Sequence, residues 1–139
     1  MISISGEVYI NKKKLLSIYN FSLISESWNC ILGSSGVGKS TLLRLIAGIE
    51  SKATFDGTIK FNENEGNIAF MSQEDLLFPW ASVFENVTLG SRLRNEKINV
   101  KKANEMIFRV GLEGHSKRKP HMLSGGERQR VALARTLME

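Results

Sequence analysis

The chain has 139 residues, 42% of them hydrophobic and 24% charged, the composition of one globular domain with enough apolar mass for a core. No apolar run approaches the roughly 20 residues that cross a bilayer. The N-terminus, Met1-Ile2-Ser3-Ile4-Ser5-Gly6, has no basic stretch followed by an apolar one, so neither export nor membrane spanning is expected of the chain by itself. The net charge of +5 is spread over small knots at Lys12-Lys13-Lys14, Lys101-Lys102 and Lys117-Arg118-Lys119. No aromatic platform is interleaved with them, so no nucleic-acid partner is expected, and a solvated face or attraction to nucleotide and anionic lipid is the better reading.

Taken in order, residues 2–4, 7–10 and 15–23 alternate or run apolar around Gly6 and the polar stretch Asn11-Lys12-Lys13-Lys14, which predicts a small antiparallel N-terminal sheet. The apolar run Trp28-Asn29-Cys30-Ile31-Leu32 predicts a buried strand, with the single cysteine, Cys30, as a small core residue and a reducing cytoplasm as its natural compartment.

Next comes Gly33-Ser34-Ser35-Gly36-Val37-Gly38-Lys39-Ser40-Thr41, and after it an apolar-periodic helix bearing Leu42, Leu45, Ile46 and Ile49 on one face, with Gly48 as its cap. Strand, glycine-rich turn and helix start together make a phosphate-binding loop. The glycines let successive N–H groups and the positive helix end converge on one anion. Lys39 supplies a mobile charge for the β- and γ-phosphates, and the Ser40 hydroxyl is of the type that ligates Mg²⁺. Kinases, GTPases, motors and transporters all use such a loop, so it does not by itself choose a reaction.

Residues 51–56 read as a loop ended by Gly57, and residues 58–61 and 68–71 as strands separated by the turn formers of 62–67. The second strand leads into Ser72-Gln73. Helical periodicity then takes over: Ser82 caps residues 83–89 with Glu85 at the third position, and Val100, Ala103, Ile107 and Val110 share a face before Gly111. His115 and His121 stand in a polar loop without the acidic or cysteine spacing of a metal site and read as exposed. Ser124 with Glu127 three residues on opens the last helix; it reads either as an ordinary capping box or, with Gly125 and Gly126 keeping side chains off the positive helix end, as a second anion-binding terminus.

A phosphate loop, a lone Gln73 after a strand and Leu123-Ser124-Gly125-Gly126-Glu127, in that order, resemble the nucleotide-binding subunit of an ATP-binding cassette (ABC) transporter over nearly the whole chain. The stretch from Gln73 through Phe78-Pro79-Trp80 to Val87 is similar to bacterial importers for nitrate, sulfonates, taurine or the pyrimidine precursor of thiamine. The resemblance implies an α/β fold of the P-loop NTPase, ABC ATPase type: one domain over 1–139, with a strand-rich nucleotide-binding core over 1–73 and a helical signature subdomain over 74–139.

It further implies that ATP and Mg²⁺ bind at Gly33 to Thr41, that Lys39 and Gln73 act in catalysis, and that Ser40 and Gln73 attend the metal. Ser124, Gly125 and Gly126 would close on the γ-phosphate held by a second ATP-binding subunit in a head-to-tail dimer. An aromatic residue upstream stacks on adenine in this family; Tyr9 is the candidate and Tyr19 competes. Leu76, Phe78, Pro79 and Trp80 would face an integral-membrane permease subunit, unless Phe78 and Trp80 are core. An external solute-binding protein joins indirectly. The expected place is the cytoplasm, peripheral on the inner face of the plasma membrane, and the expected activity is ATP hydrolysis coupled to solute uptake.

The pattern also departs from the family. The 139 residues close inside the signature helix, so the fold is expected to be C-terminally incomplete. The Walker B aspartate, catalytic glutamate and switch histidine are not among the residues, and the chain alone is expected to be marginally stable and without turnover. Two alternatives stand beside the importer: a truncated fragment that binds nucleotide without turnover, and a soluble ABC-type ATPase acting on DNA or ribosomes.

Overall fold

The computed structural model describes residues 1–49, 52–61 and 68–139. The chain falls into two units, Met1–Ile68 and Ala69–Glu139.

The first unit is built on a three-stranded antiparallel sheet in the order β2-β1-β3, with β1 at Ile2–Ile10, β2 at Lys13–Leu23 and β3 at Ala53–Phe61. Asn11 and Lys12 both take positive φ, 50° and 63°, giving β1 and β2 the two-residue hairpin whose twist suits paired strands. Gly6 does not interrupt β1. It lies at a register shift opposite β2 and pairs with Gly57 of β3. The expected loop over 51–56 is likewise replaced, from Ala53 on, by strand: Thr54 and Phe55 pair with Tyr9 and Val8, and these β-favouring side chains continue the ladder through Gly57. Ser51 and the turn formers of 62–67 lie outside the described residues.

Helix α1, Lys39–Ile46, packs Leu42 and Ile46 with Ile4, Val8 and Ile18 of the sheet to form this unit's core. It ends as its glycine foretold: Gly48, at φ 66°, donates to the Leu45 carbonyl, and Ile49 N–H donates to Arg44. Ile49 itself is exposed.

Two expected strands do not form. Residues 28–32 and 68–71 have no strand partner among the described residues, and an isolated extended segment cannot satisfy its backbone groups from within. Cys30 is consequently exposed rather than core, as are Trp28 and Leu32. The turn before them is tied by the Asn29 side chain, which accepts from Ile24 N–H at 3.0 Å and donates to the Ile24 carbonyl at 2.9 Å.

The second unit is helical. Ser82 closes a capping box with Glu85 ahead of α2, Val83–Val87. The expected helix over 83–89 breaks at Thr88, whose hydroxyl donates to the Phe84 carbonyl, and resumes as α3, Leu89–Leu93. Helix α4, Val100–Arg109, turns Ala103, Met106 and Ile107 inward; Val100, expected on that face, is exposed beside its cap Asn99. Gly111 and Leu112 end α4 with the same paired hydrogen bonds seen at Gly48, and Leu112 is driven fully inside. A short 3-10 turn, Pro120–Met122, leads to α5, Gly125–Thr136. The core joins Val83 and Val87 to Ala103, Ile107, Leu123 and Val131.

Candidate functional site

In the first unit the loop between residue 32 and α1 wraps around its own lysine. Lys39 Nζ donates to the Gly33 carbonyl at 2.9 Å and to the Ser34 carbonyl at 2.7 Å, so the ammonium lies across the curl of the loop. Gly36 at φ 79° and Gly38 at φ 103° supply the left-handed turns. A Cβ on Gly38 would stand 3.1 Å from a Leu15 methyl, and one on Gly33 would stand 3.2 Å from Val37 Cγ1, so a larger residue at either place would push a neighbouring side chain aside, whereas Gly36 has open space beside it.

Gly38 caps α1 with no side-chain hydrogen bond, and no acid occupies the first turn. The helix therefore presents its amide end and partial positive charge with no acid of its own first turn against it, which fits a phosphate group. Ser34, Ser35, Gly36, Val37 and Ser40 are exposed, and Thr41 is half-buried.

A cavity of about 330 Å³ adjoins the loop, lined by Gly33, Val37, Lys39 and Leu42 together with Leu16 and Tyr19 of β2. Tyr19 thus borders the loop cavity. Tyr9 is half-buried on β1 and gives its hydroxyl to the Glu7 carboxylate, which Lys14 Nζ also reaches at 3.0 Å. The Tyr9 and Lys14 hydrogen bonds hold the Glu7 carboxyl below its ordinary range, and the same Glu7 contact raises the Tyr9 phenol.

In the second unit the capping box at Ser124 is complete. Glu127 N–H donates to Ser124 Oγ at 3.3 Å, and Ser124 N–H donates to Glu127 Oε2 at 2.7 Å. The Ser124 backbone amide first, then its hydroxyl, hold the Glu127 carboxyl below its usual value, with smaller help from His115 and Arg118. His115, expected to be exposed, is half-buried and sits 3.3 Å from Glu127; His121 is exposed. Among the described residues, only side-chain ends of Arg128 and Arg130 come near a Cβ placed on Gly125 or Gly126, at 3.8 and 3.7 Å, so none of them demands glycine at either place.

Gln73 is exposed, and its carbonyl accepts from Gln129 Nε2 at 2.8 Å. Beyond it, Phe78 and Trp80 stack with centroids 5.0 Å apart at 24°, and they are 36% and 69% exposed, so core packing is not their role within this unit.

Several residues that organise this region escaped the sequence reading. Asn86 is fully buried and fastens residues 78–82: its Oδ1 accepts from Phe78 N–H at 2.8 Å, and its Nδ2 donates to carbonyls of Phe78, Ala81 and Ser82. A polar residue four places after a capping serine, set among Val83, Phe84 and Val87, was the available signal. Arg128, Gln129 and Arg135 reach from α5 to residues 73–76, which no local spacing announces.

The family described as ABC transporter matches residues 16–139. An uncharacterized ABC transporter ATP-binding protein of Haemophilus influenzae is 44% identical, covering 93% of this chain and 54% of that protein. The aliphatic sulfonates import ATP-binding protein SsuB 1 of Rhodococcus jostii is 48% identical, covering 77% of this chain and 42% of that protein. This chain thus spans about half the length of the curated relatives it matches. The dimeric structure of MJ0796, a bacterial ABC transporter cassette, superposes with a TM-score of 0.79 at 28% identity, covering 99% of this chain and 69% of that one. The loop at Lys39 and the capped glycines at Ser124 both fall inside the matched residues, and the chain belongs to the ABC transporter family.

Proposed function

We propose that this chain is the nucleotide-binding portion of an importer's ATP-binding subunit, coupling ATP binding and hydrolysis in the whole protein to solute uptake through a membrane permease. The observation that carries the reading is Lys39 Nζ held on the Gly33 and Ser34 carbonyls beneath two left-handed glycines. That ammonium is positioned to exchange two carbonyls for phosphate oxygens, while the amides of residues 36–41 and the α1 terminus take the remaining charge. Mg²⁺, when bound with the nucleotide, would supply charge neutralisation; Ser40, whose hydroxyl stands at the second position of α1, is assigned to it, and Gln73 is assigned to it from the sequence resemblance alone.

The second cradle is Ser124-Gly125-Gly126. Glycines that cost helix stability and fill no internal need make sense where a foreign group must approach the helix end closely. We assign that group as the γ-phosphate of nucleotide held by a second subunit arranged head to tail, a reading supported by the dimeric cassette that this chain resembles. The exposed Leu76, Phe78 and Trp80 are assigned as the permease-facing patch. Import rather than another direction is supported by the sulfonate-import relative, and the place implied is the inner face of the membrane, with a solute-binding protein acting through the permease. Adenine stacking falls to Tyr9 or Tyr19; of the two, Tyr19 borders the loop cavity.

The test is titration of the purified protein with a fluorescent ATP analogue. Saturable, magnesium-dependent binding is expected, weakened at least about tenfold in Lys39→Ala, since one charged hydrogen-bonding group is removed. Equal affinity in the two proteins would overturn the assignment.

A further inference from the structure

Residues 73–77 have no helix or ladder to hold their carbonyls. Side chains of α5 do it instead. Gln129 Nε2 donates to the Gln73 carbonyl at 2.8 Å, and Arg135 donates through Nη2 to the Asp75 carbonyl at 2.8 Å and through Nη1 to the Leu76 carbonyl at 2.9 Å. Arg128 Nε meets the Asp75 carboxylate at 3.0 Å, and that carboxylate's other oxygen accepts from Leu77 N–H at 3.2 Å. Arg128 also returns to the Leu123 carbonyl at 3.1 Å, next to Ser124.

The fork geometry is specific to arginine, which can serve two adjacent carbonyls at once. Burial pushes the Arg135 guanidinium below its ordinary value, consistent with a group seated against the protein. Leu76 is held at φ 45°, a left-handed conformation unfavourable for leucine, and the carbonyl fixed by Arg135 is its own. From there the chain enters the stacked Phe78 and Trp80, secured from the other side by Asn86. The exposed apolar patch is therefore braced on the helix that opens at Ser124.

We propose that Arg128, Gln129 and Arg135 are positioning residues that join residues 73–80 to α5 as one lever, so that nucleotide contact at Ser124-Gly125-Gly126 and permease contact at Leu76, Phe78 and Trp80 are coupled through a single helix. The coupling rests on the function proposed above; the bracing itself does not.

Two measurements on the full-length subunit separate these layers. In hydrogen exchange on the subunit alone, Arg135→Ala speeds exchange of the Leu77 and Phe78 amides about tenfold while amides of α1 are unchanged. Arg135→Lys, which keeps the charge and one bond, falls between. Unchanged exchange overturns the bracing. With the permease in proteoliposomes, Arg135→Ala loses most of the permease-stimulated ATPase while binding the fluorescent ATP analogue as wild type does, and Arg135→Lys recovers part. Full stimulation in Arg135→Ala overturns the coupling. Should Arg135→Ala not fold, Gln129→Ala, which removes one exposed hydrogen bond, decides in the same direction with a smaller loss. A wild-type subunit that no permease stimulates overturns the functional reading and the coupling with it, and leaves the exchange result standing for the bracing.

Discussion

His115 Nε2 lies 3.3 Å from the Glu127 carboxylate, while His115 Nδ1 lies 2.8 Å from the Glu113 carbonyl, so each ring nitrogen faces an oxygen. Glu127 in turn accepts from the Ser124 amide, placing one carboxylate between a histidine and the end of the signature helix.

The first prediction concerns acid. Glu127 has its folded pKa depressed from 4.5, the Ser124 amide being the largest cause. A depressed carboxyl contributes stability that is present above its unfolded pKa and is lost as pH falls through the folded value. Thermal unfolding followed downward from pH about 7 should therefore show a loss at the lower edge of the carboxylate range. Glu127→Gln keeps a capping-box side chain without the charge and should show a smaller loss. Identical pH profiles for the two proteins would contradict the assignment.

Asn86 predicts a stability effect in the second unit. Replacing it by alanine strands the Phe78 amide and three carbonyls that its buried side chain serves. The expected cost is about 2 kcal/mol, the penalty of leaving buried polar groups unpaired. Urea unfolding of the variant should show a lower midpoint. Asn86→Asp, which retains only the acceptor, should not restore it.

Gly6 and Gly57 face each other across β1 and β3, and a Cβ on Gly6 would come within 2.6 Å of Gly57 Cα. Neither backbone can retreat without opening the ladder on both sides. Gly6→Ala, also strained at φ 154°, should destabilise the first unit by about 3 kcal/mol. Circular dichroism during chemical unfolding measures it; a variant as stable as wild type would show that the sheet has slack here.

These cases separate what was legible in the residues from what was not. The glycine-rich turn into α1, both capping boxes and the glycine stops at Gly48 and Gly111 are decided within a few residues, and each appears where its spacing puts it. Gly6 reads locally as an interruption; its partner Gly57, which explains it, is distant in sequence. Trp28 to Leu32 has the composition of a strand, but strand formation needs a neighbour, which composition does not supply. Val100 has the right period for the core and loses to its place at the helix start, while Met106 takes the inward position. The Arg135–Asp75 contact spans 60 residues, beyond any periodicity argument.

The capped glycines give the sharpest separation of stability from function. Gly125 and Gly126 open α5 with space for a methyl group at each, and neither has the positive φ that favours glycine. Alanine there reduces the freedom of the unfolded chain and raises helix propensity, so Gly125→Ala and Gly126→Ala should each leave the protein unchanged or stabilise it by up to about 1 kcal/mol. If a partner's nucleotide must approach this helix end, the same methyl groups stand in its way. ATP-dependent dimerisation, measured by size-exclusion chromatography with light scattering on the full-length subunit, should then weaken although the melting temperature holds or rises. Alanine variants that dimerise as wild type does would mean that the glycines serve no approaching ligand, and that the helix end is only a cap.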